Sequence, residues 1–230
     1  MAHLKKLHAP WQWRISRKEK KYVIRPFPAG HKRELSLPIL VVMRDLLHYV
    51  NNARELRNVF RQNGVLVDGK NLKDTHSSVG LFDVLHLPKI NAYYRLLLDG
   101  NGRLQPFPID GKENGVKICK VIGKHKIKGG KTQIVLHDGR TFVGSDEISV
   151  GDSVVLQLAD KKVTQTLQLK KGAYVYLIGG KHSGNYGVLR DVAERNVIFE
   201  DFKKNKVETL KKYIVVVGEG KPLLKLSNEQ

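Results

Sequence analysis

Residues 178–189 read IGGKHSGNYGVL, four glycines and a lysine in twelve positions, and the pattern on their C-terminal side decides the fold. A phosphate loop of the form G-x-x-x-x-G-K-[ST] needs a hydroxyl residue after its lysine and a helix whose N-terminus faces the phosphates. Here His182 comes after Lys181, and GVLRDVAERNVIFED continues as a strand pattern, not a helix. The loop therefore connects two strands. With AYVYLIGG before it and VETLKKYIVVVG after it, the stretch from Lys171-Gly172 to Gly218 holds four or five short strands, the size of a compact barrel. Glycines here let backbone approach a ligand surface, with Lys181 and His182 supplying charge, or they serve only the turns of the barrel. Gly187 is the one of the four that reads as purely structural.

Working towards the N-terminus, the pattern stays β back to Lys117. KICKVIGKHKI, TQIVLHDGRTFVG, SVVLQL and VTQTLQL are β-branched runs separated by Gly-Gly, Asp-Gly, Gly-Asp and Lys-Lys. Such punctuation predicts a second small barrel or sandwich. Before it, YYRLLLDGNGRLQPFPI, GLFDVLHLP and VLVDGKNL predict antiparallel strands, with Asp68-Gly69 suited to a tight hairpin turn. Two helices precede these strands. Ile39, Val42, Met43, Leu46, Leu47 and Val50 recur at three and four, predicting a helix from Ile39 to Val50 behind Pro38. Asn52 and Glu55 have capping-box spacing, and Asn63-Gly64 ends the second helix.

Charge points to a partner. The 230 residues carry 41 Lys and Arg against 22 Asp and Glu, a net +19, which favours a polyanion. Among the first 33 residues, Lys5, Lys6, Arg14, Arg17, Lys18, Lys20, Lys21, Arg25, Lys32 and Arg33 face only Glu19. This segment lacks the apolar core and cleavage site of a secretory signal, and Pro10, Pro26 and Pro28 interrupt any amphipathic presequence helix. It reads as a retained basic arm, whose composition suggests no order in the absence of its partner. Trp11 and Trp13, on one side of an extended chain, would stack on bases or dock into the folded part. On the second helix Arg54, Arg57 and Arg61 share a face away from Leu56, Val59 and Phe60, and Arg44 with His48 forms a similar pair on the first. Together with the arm, these guanidinium groups favour phosphate contacts over a merely solvated face.

Enzyme motifs fail one by one. GGKT at Gly129 to Thr132 has His125 where the first P-loop glycine belongs, and Gly100-x-Gly102 meets Gln105 where a dinucleotide fingerprint needs glycine. None of the nine histidines stands in an H-E-x-x-H arrangement, and no G-x-S-x-G elbow occurs. The single cysteine, Cys119, excludes an internal disulfide and a Cys-rich zinc site. No run approaches the roughly 18 apolar residues of a membrane span. No cofactor, metal or small-molecule substrate is expected, and the default setting is a reducing, cytoplasmic one.

The lead HLKKLHAPWQW and the phrases GHKRELSLPILVVMRD, VLVDGK, GLFDVLHL and KGAYVYLIGGKHSGNYGVL, in this order, resemble the archaeal and eukaryotic small-subunit ribosomal proteins of the S-four-e family across essentially the whole chain. The resemblance implies an α+β multidomain protein: a basic arm over residues 1–36, an S-four-type helix-helix-hairpin RNA-binding domain over 37–100, a central small β barrel over 101–170, a KOW barrel over 171–218 and a tail over 219–230. It also implies a non-enzymatic constituent of the small subunit, binding ribosomal RNA beside neighbouring ribosomal proteins. Carried over residue by residue, its RNA-contacting set is the ten cations of the arm, then Arg44, Arg54, Arg57, Arg61 and Lys70, then Gly180, Lys181, His182, Ser183 and Gly184. Eukaryotic members continue in a longer basic tail, whereas this chain stops at Gln230, which suggests an archaeal type. Two other readings remain. S-four-type domains also precede pseudouridine synthases, whose catalytic Asp stands after a GRL triplet that here leads to Gln105, and KOW units occur in transcription elongation factors.

Overall fold

The computed structural model describes residues 3–201 and 205–226. It divides into two compact units, Met1–Asp99 with Arg103–Asn114, and Gly100–Gly102 with Gly115–Gln230. The fold is mostly β.

In the first unit, β1 (Leu4–Lys5) pairs antiparallel with β2 (Tyr22–Val23), and β3 (Ser36–Pro38) leads into helix α1 (Ile39–Val41). Ile39, Leu40, Val41, Val42 and Met43 are all buried, so this segment is apolar all round and not one-sided. The helix is also shorter than its periodicity predicts. A π turn over Val42–Leu46 closes with the Leu47 N–H on the Val42 carbonyl at 2.9 Å, and His48 then leaves helical geometry at φ 56°. Val50 is buried, but from the connection beyond the helix. Helix α2 (Ala53–Arg61) matches its signals more closely: the Asn52 Oδ1 accepts the Glu55 N–H at 3.0 Å, and Glu55 reaches back to the Asn51 N–H at 2.7 Å. Its far end closes when Asn63 turns left-handed at φ 50° and the Gly64 N–H meets the Val59 carbonyl at 3.0 Å.

The strands β4 (Leu66–Val67), β5 (Lys70–Asn71), β6 (Ser78–Gly80), β7 (Val84–Leu87), β8 (Ala92–Leu98) and β9 (Leu104–Pro108) come next along the chain. Five of them form an antiparallel sheet in the order β5-β4-β7-β8-β9, while β6 pairs with β3. Asp68 and Gly69, at φ 47° and 75°, turn β4 into β5 with both residues left-handed, as the Asp-Gly pair predicts. The sheet does not end at residue 100, because β9 pairs along β8.

The N-terminal arm is folded against this sheet. Trp13 is 1% exposed and bridges Leu104 on β9, the Leu104 N–H donates to the Gln12 carbonyl at 2.8 Å, and the indole N–H reaches the Arg33 carbonyl at 3.3 Å. Burying an indole supplies the driving force that a count of charges does not register. Trp11 remains 54% exposed, so the two tryptophans do not share a side.

The second unit contains two five-stranded antiparallel sheets. The central one comprises β10 (Val116–Lys126), β11 (Thr132–Leu136), β12 (Thr141–Gly144), β13 (Ser153–Gln157) and β14 (Lys162–Leu167), in the order β12-β11-β10-β13-β14. Cys119, Val121, Ile134, Leu136, Ile148, Val154 and Leu156 form its core. Burial pushes the Cys119 thiol well above its ordinary range, so it behaves as a small apolar group.

The last sheet comprises β15 (Ala173–Leu177), β16 (Tyr186–Val192), β17 (Asn196–Asp201), β18 (Lys206–Leu210) and β19 (Ile214–Glu219), in the order β18-β17-β16-β15-β19. Gly187 is structural: a Cβ there would meet the Glu200 carbonyl oxygen at 2.0 Å, so no side chain fits between β16 and β17. A buried lysine joins the two sheets. Lys120, on β10, is 6% exposed, and its Nζ donates to the carbonyls of Lys211, Lys212 and Ile214 at 3.1, 2.9 and 2.5 Å. The Val216 N–H donates to the Ser153 Oγ at 3.0 Å alongside it. Residues of the tail with little sequence pattern, Leu224 and Leu226, are buried, and residues 227–230 of that tail lie outside the described part.

Candidate nucleic-acid interface

The antiparallel pair β1–β2 folds the arm back on itself and gathers cations that are scattered in sequence. Lys5, Arg17, Lys18, Lys20 and Lys21 line one open groove with Leu7, and among the described residues no carboxylate lines it with them. Like charges crowd together at a cost, so a site of this kind is stable in the presence of an anion. Leu7 is 73% exposed at its edge.

Not every arm cation is available to a ligand. Lys6 is 7% exposed, and its ammonium donates to the Ser16 carbonyl at 2.7 Å. The Arg17 guanidinium lines the groove but also donates to the carbonyls of Lys6, Ala9 and Pro10 at 3.2, 3.0 and 2.8 Å. These bonds satisfy backbone that no regular ladder serves. Arg14 donates to the Gln105 Oε1 at 2.6 Å, so the glutamine that departs from the GRL-Asp pattern holds the arm instead. Arg25 and Arg33 line a second groove with Phe27 and His31, and Arg33 also reaches the His8 carbonyl at 3.3 Å. Lys32 is exposed.

In the π turn beyond α1, Arg44 is half-buried and held by Asp45, with Nε and Nη2 at 2.7 and 2.9 Å from the carboxylate oxygens; this hydrogen bonding raises its pKa. Its charge is neutralised within the fold. On α2 the result is the opposite. Arg54, Arg57 and Arg61 are all exposed, and none of their side chains makes a hydrogen bond or ion pair with another described residue, because Leu56 and Phe60 turn the far side of the helix into the core. Lys70, beside the Asp68–Gly69 turn, is also exposed.

In the glycine-rich loop, Gly180 and Gly184 are left-handed at φ 84° and 92°. The Gly184 N–H returns to the Leu177 carbonyl at 2.9 Å, so the loop is a closed turn with Ser183 buried inside it. Gly180 and Lys181 face solvent, and His182 is half-buried. One residue that sequence reasoning missed shapes this loop: Tyr213. Its ring lies so close to Gly179 that a Cβ there would meet the ring at 2.5 Å, and the Lys212 ammonium sits 4.8 Å from the ring centroid. The signal, a tyrosine after two lysines about 30 residues downstream, has meaning only once β19 is paired beside β15.

Comparison with known proteins decides the family. The model of Ribosomal family S4e matches residues 90–163. The small ribosomal subunit protein eS4 of Methanocella arvoryzae is 36% identical over 225 residues, covering 96% of this chain and 95% of that protein. The chain belongs to the S4e family. Another S4e relative, the eS4 protein of Nanoarchaeum equitans, is 40% identical over 196 residues, covering 85% of this chain and 84% of its own. Among solved structures, the crystal structure of the 30S ribosomal protein S4e from Thermoplasma acidophilum matches with a TM-score of 0.71 at 25% identity, covering 80% of this chain and 96% of that one.

Proposed function

We propose that this chain binds small-subunit ribosomal RNA through three surfaces: the arm groove, the arginine face of α2, and the glycine-rich loop around Lys181. As an S4e protein it is a non-enzymatic constituent of the small ribosomal subunit, acting in translation among neighbouring ribosomal proteins in the cytoplasm. The observation that carries the RNA reading is the arm groove, where five cations line one surface with no carboxylate among the described residues. Phosphates neutralise such a surface and release condensed counterions, giving an affinity that falls steeply with salt.

The finer domain reading belongs to the same proposal. Helix α2 with the left-handed Asp68–Gly69 hairpin supports an S-four-type domain within residues 37–100. The last five-stranded sheet, with its closed glycine loop after the first strand, supports a KOW domain over residues 171–218. Residues 1–36 are then the arm, 101–170 hold β9 of the first sheet followed by the central β domain, and 219–230 are the tail.

The test is sedimentation of a lysate containing the tagged chain. Co-migration with small subunits through a salt wash is the expected result. Co-purification with RNA polymerase would instead favour the transcription-factor reading, and new pseudouridine in unmodified ribosomal RNA would favour the enzyme reading.

A further inference from the structure

One charged feature is not absorbed by these three surfaces. Strand β10 has 11 residues and changes partner along its length: Val116 to Lys120 pair with β13, whereas Val121 and Gly123 to Lys126 pair with β11. Beyond that register shift the β10–β11 hairpin extends to an exposed tip, where Gly129 and Gly130 turn at φ 86° and 71° and the Ile127 N–H closes on the Lys131 carbonyl at 2.9 Å. This tip is the GGKT segment that fails as a nucleotide loop.

Four lysines stand on it, Lys124, Lys126, Lys128 and Lys131, against one carboxylate in contact, Asp146. Asp146 is fixed at the base of the hairpin: Lys124 donates to its backbone carbonyl at 2.5 Å, and its side chain accepts from the Thr132 hydroxyl. The side chains of Lys126, Lys128 and Lys131 are exposed and make no hydrogen bond or ion pair with another described residue, although the Thr132 hydrogen bond, helped by the Lys126 charge, holds the Asp146 carboxyl below its ordinary range. The ladder ends at the Lys126–Thr132 pair and the Ile127–Lys131 hydrogen bond closes the tip above it, so the hairpin presents its lysines from a fixed base and less freedom is lost when they meet a ligand. From this we infer that the β10–β11 tip is a fourth RNA-backbone contact of the protein, holding phosphates through Lys126, Lys128 and Lys131. The inference rests on the ribosomal-RNA reading above and adds a surface to it.

The experiment uses the full chain and in vitro transcribed archaeal small-subunit ribosomal RNA, with affinity measured across a salt series. Each phosphate contact contributes about 0.7–0.9 to the slope of log affinity against log salt. The K126Q/K128Q/K131Q protein should lose about 2 from that slope, and protect fewer RNA positions from hydroxyl radicals than the unaltered chain. The positions lost should differ from those lost in an R54A/R57A/R61A protein. A hairpin variant with the slope and footprint of the unaltered chain overturns this inference alone. Failure of the unaltered chain to bind the RNA overturns both this inference and the reading on which it rests.

Discussion

The N-terminal arm and helix α2 are both rich in cations, yet they use them differently. In α2 the backbone satisfies itself through the helical ladder, so Arg54, Arg57 and Arg61 are left entirely to solvent or ligand. The arm has only the short β1–β2 pair and must satisfy its remaining carbonyls with side chains. Lys6 and Arg17 do so. A basic residue is therefore free for RNA in proportion to how well the local backbone serves itself.

The strongest way to break that contrast is Trp13→Ala. Removing a fully buried indole costs about 3–5 kcal/mol, and amide exchange over residues 4–23 should accelerate as the arm undocks. RNA affinity should fall although no cation has been removed. Unchanged exchange would mean that the arm is held without Trp13.

Lys120 extends the contrast to an ammonium taken fully inside. Burial, with a smaller contribution from the Lys211 charge, lowers its pKa from 10.5 to about 8. Between those values the unfolded chain binds more protons than the folded one, so this group makes stability rise with pH across that window. The penalty is fully present below pH 8. Relative to a Lys120→Met protein, the unaltered chain should gain up to about 3 kcal/mol between pH 7 and pH 10.5, read from urea denaturation at each pH. Parallel curves would refute the shift.

Arg17→Lys sharpens the comparison within the arm, because charge is kept while the three-carbonyl fork is lost. Local protection there should drop by about 1–2 kcal/mol, with little change in the salt slope. For α2, R54A/R57A/R61A should leave thermal stability within about 0.5 kcal/mol and lower the salt slope by about 2. A large loss of stability in that protein would show that the arginines serve the fold after all.

Local signals were the legible ones. The Asn52 cap, the Asn63-Gly64 end and the Asp68–Gly69 turn depend on residues a few positions apart, and all three appear as read. The apolar period of α1 was visible, but its π turn was not, since a helix surrounded by core has no polar face to mark its register. The docking of the arm on the sheet was not legible, because it depends on Trp13 meeting Leu104 and Arg14 meeting Gln105, contacts about 90 residues apart. The same holds for the site. Arginine spacing on α2 was readable from helical period alone, whereas the burial of Lys6, the pairing of Arg44 and the role of Tyr213 required the neighbours that tertiary structure brings.

The contrast between Trp11, 54% exposed, and Trp13, 1% exposed, has a practical side. These are the two tryptophans of the chain, and they lie in a single turn of the arm. One fluorophore should emit to the red and be open to acrylamide, while the other should emit to the blue and be shielded. Arm docking therefore writes itself into the protein's own ultraviolet emission, and its kinetics can be followed by stopped flow without attaching a dye.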